Sequence, residues 1–233
     1  MFRYARTRLR GGMMGFVVAI SGTSGAGKSS LMHAIAARYS SVALMHFDHY
    51  IVLGTDGGDI QGWLDAGADP NLIETPQLVM DLEALKAGRP VIPPGGGQVD
   101  PAPLILLEEP FGRYRSAITS QIDLSVHLEL PHDIALARRS LRSVRAVADG
   151  AGHHEHVHAL ADLMGQFAAY LGPGREAYQL AEVFAREVAD RVLDAMRPVD
   201  ELAGDSIALM VERNGPVPDD GSTPDEQGTE EPG

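Results

Sequence analysis

Not one of the 233 residues is a cysteine. That excludes disulfides, thiolate catalysis and cysteine metal sites, and it fits a reducing compartment. Long apolar runs are missing too. None approaches the ~20 residues of a membrane span, and the Arg-rich start is not followed by the apolar stretch of a signal peptide. Bases are scarce: 19 Lys and Arg stand against 32 Asp and Glu, a formal net charge of −13. Residues 1–12 carry Arg3, Arg6, Arg8 and Arg10 without an acid, and the end from Asn214 carries six acids without a base. Of the −13, the body therefore holds −11. A body of that sign lacks the basic stripe of a general nucleic-acid binder. The expectation is a soluble cytoplasmic protein with neither nucleic acid nor membrane as partner.

Against those absences, one stretch is rich in meaning. Gly22-Thr23-Ser24-Gly25-Ala26-Gly27-Lys28-Ser29 fits the phosphate-binding pattern G-x-x-x-x-G-K-[ST]. The unbroken apolar run Phe16–Ile20 precedes it and reads as a strand buried on both faces. Ser29, Ser30 and the helix-forming run to Ala37 follow it. The glycines let consecutive N–H groups point inward at phosphate oxygens, and the helix N-terminus adds partial positive charge there. Lys28 is expected to reach the β- and γ-phosphates, and the Ser29 hydroxyl to ligate Mg²⁺. A chance glycine-rich turn would not bring strand, spacing, Lys and Ser into agreement. The chain is expected to bind a nucleoside triphosphate, and without an Asn-Lys-x-Asp motif ATP is favoured over GTP.

The body from 15 to 212 alternates strand-like and helix-like segments, so a parallel sheet covered by helices is expected. Residues 1–14 read as a disordered basic leader and 213–233 as a disordered acidic tail. Candidate strands are 16–21, 42–47, 104–107, 123–129 and 190–193. Candidate helices are 27–39, 76–87, 132–147, 158–171, 174–188 and 198–212. Two loop-rich insertions, 54–76 and 90–103, fall where an α/β sheet holds its ligands.

Phosphoryl transfer needs positioning, Mg²⁺, cations and a base for the attacking hydroxyl. Asp48, ending the second strand in HFDHY, is the candidate base; a turn or cap role is the alternative. Leu106-Leu107-Glu108-Glu109-Pro110 ends the third strand with two acids, either of which suits a metal ligand, the other then being solvated or salt-bridged. On the helix from Asp133, Ile134, Ala137, Leu141 and Val144 form an apolar stripe. Arg138, Arg142 and Arg145 form a cationic one suited to phosphate. Trp63 either stacks on a planar substrate or anchors its loop. His153–His158 invites a metal reading, but without cysteine support and after a Gly-rich turn it is the weaker one.

These motifs in order, GTSGAGKS, FDHY, ETPQLVMDLEALKAGRPVIPP, LLEEPFGR and IDLSVHLELPHDIALARRSLRS, resemble the uridine kinase-like branch of P-loop small-molecule kinases over roughly residues 15–210. That branch includes phosphoribulokinase, nicotinamide riboside kinase and bacterial pantothenate kinase. The resemblance implies an α/β P-loop NTPase three-layer fold, with a five-stranded parallel sheet and a helical lid. It implies ATP and Mg²⁺ as cofactors and a small-molecule hydroxyl as acceptor. It places the base at Asp48, an aromatic at Tyr50, a metal-side acid at Glu108 and lid arginines at Arg138, Arg139 and Arg142. The chain departs from uridine kinases at Pro94-Gly95-Gly96-Gly97-Gln98, where they carry a Tyr-Asp pair, at Ser143 after Arg142, and at Glu109–Arg113. Arg113 thus becomes a candidate substrate or phosphate contact, and with Arg115 it would suit a monophosphate acceptor. A homo-oligomer is compatible with the sequence.

Overall fold

A computed structural model describes residues 15–51, 58–149 and 153–219, without the side chains of 58, 59, 146–149, 153–159 and 162. The elements run β1 (Phe16–Gly22), α1 (Lys28–Ala36), β2 (Val42–His46), α2 (Gly58–Asp65), α3 (Pro76–Lys86), β3 (Leu104–Glu108) and α4 (Ser116–Thr119). Then come β4 (Leu124–Glu129), α5 (His132–Asp149), α6 (His153–Ala169), α7 (Arg175–Glu187), β5 (Arg191–Asp194) and α8 (Val199–Glu212). The five strands form one sheet in the order β2-β3-β1-β4-β5, with every pairing parallel.

The unbroken apolar run of β1 has a simple cause: as the central strand it needs both faces apolar. Val18 and Ile20 meet Leu31 and Ile35 of α1 and Ile207 and Met210 of α8. Val17 and Ala19 face the other way, toward Leu78 and Leu82 of α3. Edge strand β2 instead alternates buried and half-buried residues. This is the α/β P-loop NTPase architecture, two helical layers around a parallel sheet. Helices α5, α6 and α7 span the part of the chain expected to form a helical lid. α6 passes into α7 through Tyr170–Gly174, where Gly172 leaves helical geometry beside Pro173.

All five expected strands are present to within about a residue at each end. The segment 54–76 is not wholly loop, since α2 lies in it. Residues 213–219, expected to begin the disordered tail, are held in place. The Asp219 N–H donates to the Arg38 carbonyl at 2.9 Å and the Tyr39 hydroxyl to that of Pro216 at 3.1 Å, holding this segment against the end of α1. Residues 1–14 and 220–233, and the side chains of His153–His158, lie outside the described residues. Among the described residues no helix is long and apolar enough to cross a membrane.

Candidate active site

The phosphate loop leaves β1 at Gly22 and enters α1 at Lys28. Gly22, Gly25 and Gly27 all hold positive φ (139°, 98° and 98°), which L side chains rarely adopt. Gly25 has a second reason to be glycine: a Cβ there would sit 2.5 Å from the Ala135 carbonyl of α5. A turn closes the loop, with the Ala26 N–H donating to the Thr23 carbonyl at 3.0 Å. No side chain caps the start of α1, so its first-turn N–H groups face an incoming anion. Thr23 is buried, whereas Ser29 and Ser30 are exposed.

Parallel register sets β3 beside the loop: Glu108 pairs with Ile20 on one side and His46 on the other. Its carboxylate lies 3.4 Å from Lys28 Nζ, accepts from Ser29 Oγ at 3.2 Å and meets His46 Nδ1 at 3.0 Å. Burial pushes this carboxyl up, but the His46 hydrogen bond and the Lys28 charge outweigh it and hold it at about 2. The same hydrogen bond raises His46 against its own burial. Lys28 also donates to the Gly22 carbonyl at 2.9 Å and to that of Thr23 at 3.3 Å. An ionised carboxylate and a hydroxyl, both hard oxygens beside a phosphate cradle, fit Mg²⁺.

A cavity of about 1250 Å³ opens above this floor. Gly22, Thr23, Ser24, Lys28 and Glu108 line one end. Asp48 lines it from the short 3-10 turn Phe47–His49 after β2, where it is exposed. An aromatic wall of Phe47, Tyr50, Trp63 and Phe111 continues beyond, with Leu72, Ile73 and Glu74. The lid closes the other side with Arg139, Arg142, Tyr170, Tyr178 and Glu182.

Trp63 anchors its loop and also lines the cavity. Its indole N–H donates to the Asp69 carbonyl at 2.8 Å, and its ring lies 6.0 Å from Phe111. Tyr50 offers only its ring. Its hydroxyl donates to the buried Asp81 at 2.8 Å, and burial with that bond raises its pKa.

Four expectations are corrected. Arg113 lies outside the cavity: its guanidinium bonds Asp190 and, at 3.4 Å, the Asp123 carbonyl. Asp190 also accepts from Ser125 N at 2.8 Å, so Arg113 braces the amino ends of β4 and β5, the edge opposite the phosphate loop. Arg115 is equally committed. It is buried and forks onto Glu109, so it is closed to any acceptor phosphate. Arg138 turns to the end of β5, donating to the Ala195 carbonyl at 3.1 Å, and only Arg139 and Arg142 of the lid arginines reach the cavity. The reason is the rotation of α5, which buries Ala135 and Arg139 and leaves Leu141 and Val144 about half exposed. Finally, Gly95 and Gly96 pack on His49, and no residue of 90–103 lines the cavity.

Arg139 is the site residue that its helical stripe did not single out. Its guanidinium sits 5.1 Å from the rings of both Tyr170 and Tyr178. A three-residue step to Arg142 signals a shared face as well as the four-residue step from Arg138 does.

No protein-family model and no curated protein matches the chain. Among solved structures it is similar to shikimate kinase from Acinetobacter baumannii in complex with shikimate, at 15% identity, covering 86% of this chain and 95% of that one, with a TM-score of 0.38. It is also similar to the Thermus thermophilus protein TT1252, at 16% identity over 85% and 97% of the two chains, with a TM-score of 0.41.

Proposed function

We propose that this chain is an ATP- and Mg²⁺-dependent kinase that phosphorylates a hydroxyl of a small metabolite. One observation carries the reading: Gly22, Thr23, Ser24 and Lys28 of the phosphate loop, Glu108 with Ser29 hydrogen-bonded to it, and Asp48 come together, and all of these but Ser29 line a single cavity. In this reading Asp48 takes the proton of the acceptor hydroxyl as its oxygen bonds the γ-phosphorus. The bond from that phosphorus to the bridging oxygen breaks, and ADP leaves. Ser29 and Glu108 would hold Mg²⁺, which would supply charge to offset that on the phosphates. Lys28, Arg139 and Arg142 supply fixed positive charge where it develops. The aromatic wall shields the acceptor from water.

The likeness to the uridine kinase-like branch supports a nucleoside or sugar-like alcohol as acceptor, with the hairpin around Gly95–Gly97 as its main departure. A nucleoside monophosphate is disfavoured, since Arg113 and Arg115 are both engaged elsewhere. The test is ADP release with MgATP against nucleosides, vitamins, sugars, amino alcohols and nucleoside monophosphates. Acceptor-dependent release that Lys28→Ala abolishes is the expected result. Tight nucleotide binding with no acceptor-dependent release would overturn it in favour of a regulatory binder.

A further inference from the structure

The acceptor side of the cavity has a charge pattern that narrows its ligand. Its wall comes from the segment between α1 and the end of α3. Residues 39–85 contain no Lys or Arg, and of their acids Asp48 and Glu74 line the cavity. The cations that do line the cavity, Lys28, Arg139 and Arg142, belong to the phosphate loop and the lid. Arg115, the other cation at this wall, is buried and spent on Glu109. Among the described residues, no free Lys or Arg on this wall lines the cavity.

Four carboxylates line the cavity: Asp48, Glu74, Glu108 and Glu182. Glu108 is held by Lys28, Ser29 and His46, and Glu182 pairs with His132 at 2.9 Å. Asp48 is the base of the proposed reaction. Glu74 is left, exposed, with no ion pair or hydrogen bond among the described residues. Its backbone is nonetheless fixed on both sides: Arg115 donates to the Ile73 carbonyl at 2.9 Å and to Thr75 Oγ1 at 2.8 Å. An unpaired carboxylate on a tethered segment, lining the same cavity as the rings of Trp63, Tyr50 and Phe111, is what an organic ammonium group requires. A nucleotide at the phosphate loop would add further negative charge and repel an anionic acceptor more strongly.

We infer that the acceptor is an amino alcohol with an aromatic or apolar body, whose protonated amine is read by Glu74. The inference rests on the kinase reading, but its test separates the two. Three probes share a phenyl ring and a benzylic hydroxyl and differ in charge: 2-amino-1-phenylethanol, 1-phenylethane-1,2-diol and mandelate. Trp63, the single tryptophan, lines the cavity and reports their binding by fluorescence. The titration is done with the full chain, Mg²⁺ and a non-hydrolysable ATP analogue. The expected order is amine about 5-fold tighter than diol, with mandelate weakest. Glu74→Gln is expected to bring the amine-to-diol ratio to about one. Equal or tighter binding of diol or mandelate, an unchanged ratio in Glu74→Gln, or no response to any probe at millimolar concentration would each overturn the inference. Failure of the kinase reading looks different: the amine preference persists in fluorescence while no hydroxyl compound elicits ADP release.

Discussion

Glu109 and Arg115 form a two-pronged ion pair, Arg115 Nε to Glu109 Oε1 at 3.2 Å and a terminal nitrogen to Oε2 at 2.7 Å, with side chains 0% and 1% exposed. The pair joins the end of β3 to segment 70–75, and Arg115 also lies 5.0 Å from the Phe47 ring. The acceptor wall is thereby braced from beneath. Burial raises the Glu109 carboxyl, opposed by the Arg115 charge. Removing one partner strands a charge, which typically destabilises by about 3–5 kcal/mol. Arg115→Met is therefore expected to lower urea stability by that order, and Glu109→Leu/Arg115→Met together to recover much of it. A single variant as stable as the parent would dismiss the brace.

Asp48 is the candidate base and is exposed in its turn, so its replacement leaves the fold intact. Asp48→Asn is expected to lower kcat by ~10²-fold or more with nucleotide affinity nearly unchanged. Single-turnover kinetics beside nucleotide titration checks both halves, and unaltered turnover removes Asp48 from the reaction.

The two neighbouring lid arginines should behave differently. Arg139 lies over the neighbouring rings of Tyr170 and Tyr178 on the cavity wall, whereas Arg138 is bonded to the end of β5. Arg139→Ala is expected to lower kcat/KM by ~10²-fold or more and Arg138→Ala by only a few-fold. Tyr178→Leu, which removes one of the two rings, should fall between them. Equal losses for both arginines would contradict the assignment.

His127 is expected to add an acid-side slope to the stability profile. Its ring is buried in β4, with Nδ1 3.0 Å from Ser21 Oγ on β1 and Nε2 without a partner among the described residues. Burial, with the nearby charges of Arg186 and Lys28, lowers its pKa from 6.5 to about 4. Below pH 6.5 the unfolded chain takes up a proton that the native ring refuses. Stability is then lost as pH falls from 6.5 to 4, by up to about 3 kcal/mol, and this contribution levels off below that. The Glu108 carboxylate acts lower, its share present above pH 4.5 and lost toward pH 2. Urea midpoints should fall from pH 7 to pH 4 in the parent, and less steeply in His127→Gln.

What was readable from sequence follows the range of the interaction that decides it. Phe16–Ile20 and Leu104–Leu107 announce themselves because strands buried on both faces must be apolar throughout. The phosphate loop is local, so its geometry is written in adjacent residues. α5 was legible as a helix, but not in phase: as a lid it buries little, and Leu141 and Val144 stay half exposed while Arg139 turns inward. Arg113 finds Asp190 at 77 residues' distance, a pairing no local pattern encodes. Glu108 and Glu109 are neighbours with opposite fates, because a strand end points successive side chains to different environments. α2 hides behind Gly58 and Gly62, and the packing of Trp63 against Phe111 adds a tertiary contact that its glycines do not advertise.

The central position of β1 also governs when this protein can acquire its nucleotide cradle. Phe16 pairs with Leu104, and Val18 with Leu124, so both neighbours of the earliest strand are made long after it. On the ribosome, Val18 waits 88 residues for its partner Leu106 on one edge and 106 for Leu124 on the other. Pairings so distant are slow to close and leave an apolar, unprotected strand exposed meanwhile. Gly22–Lys28, whose conformation hangs from the end of that strand, is therefore completed late. A nascent chain arrested before residue 129 is expected to be sticky and unable to retain nucleotide.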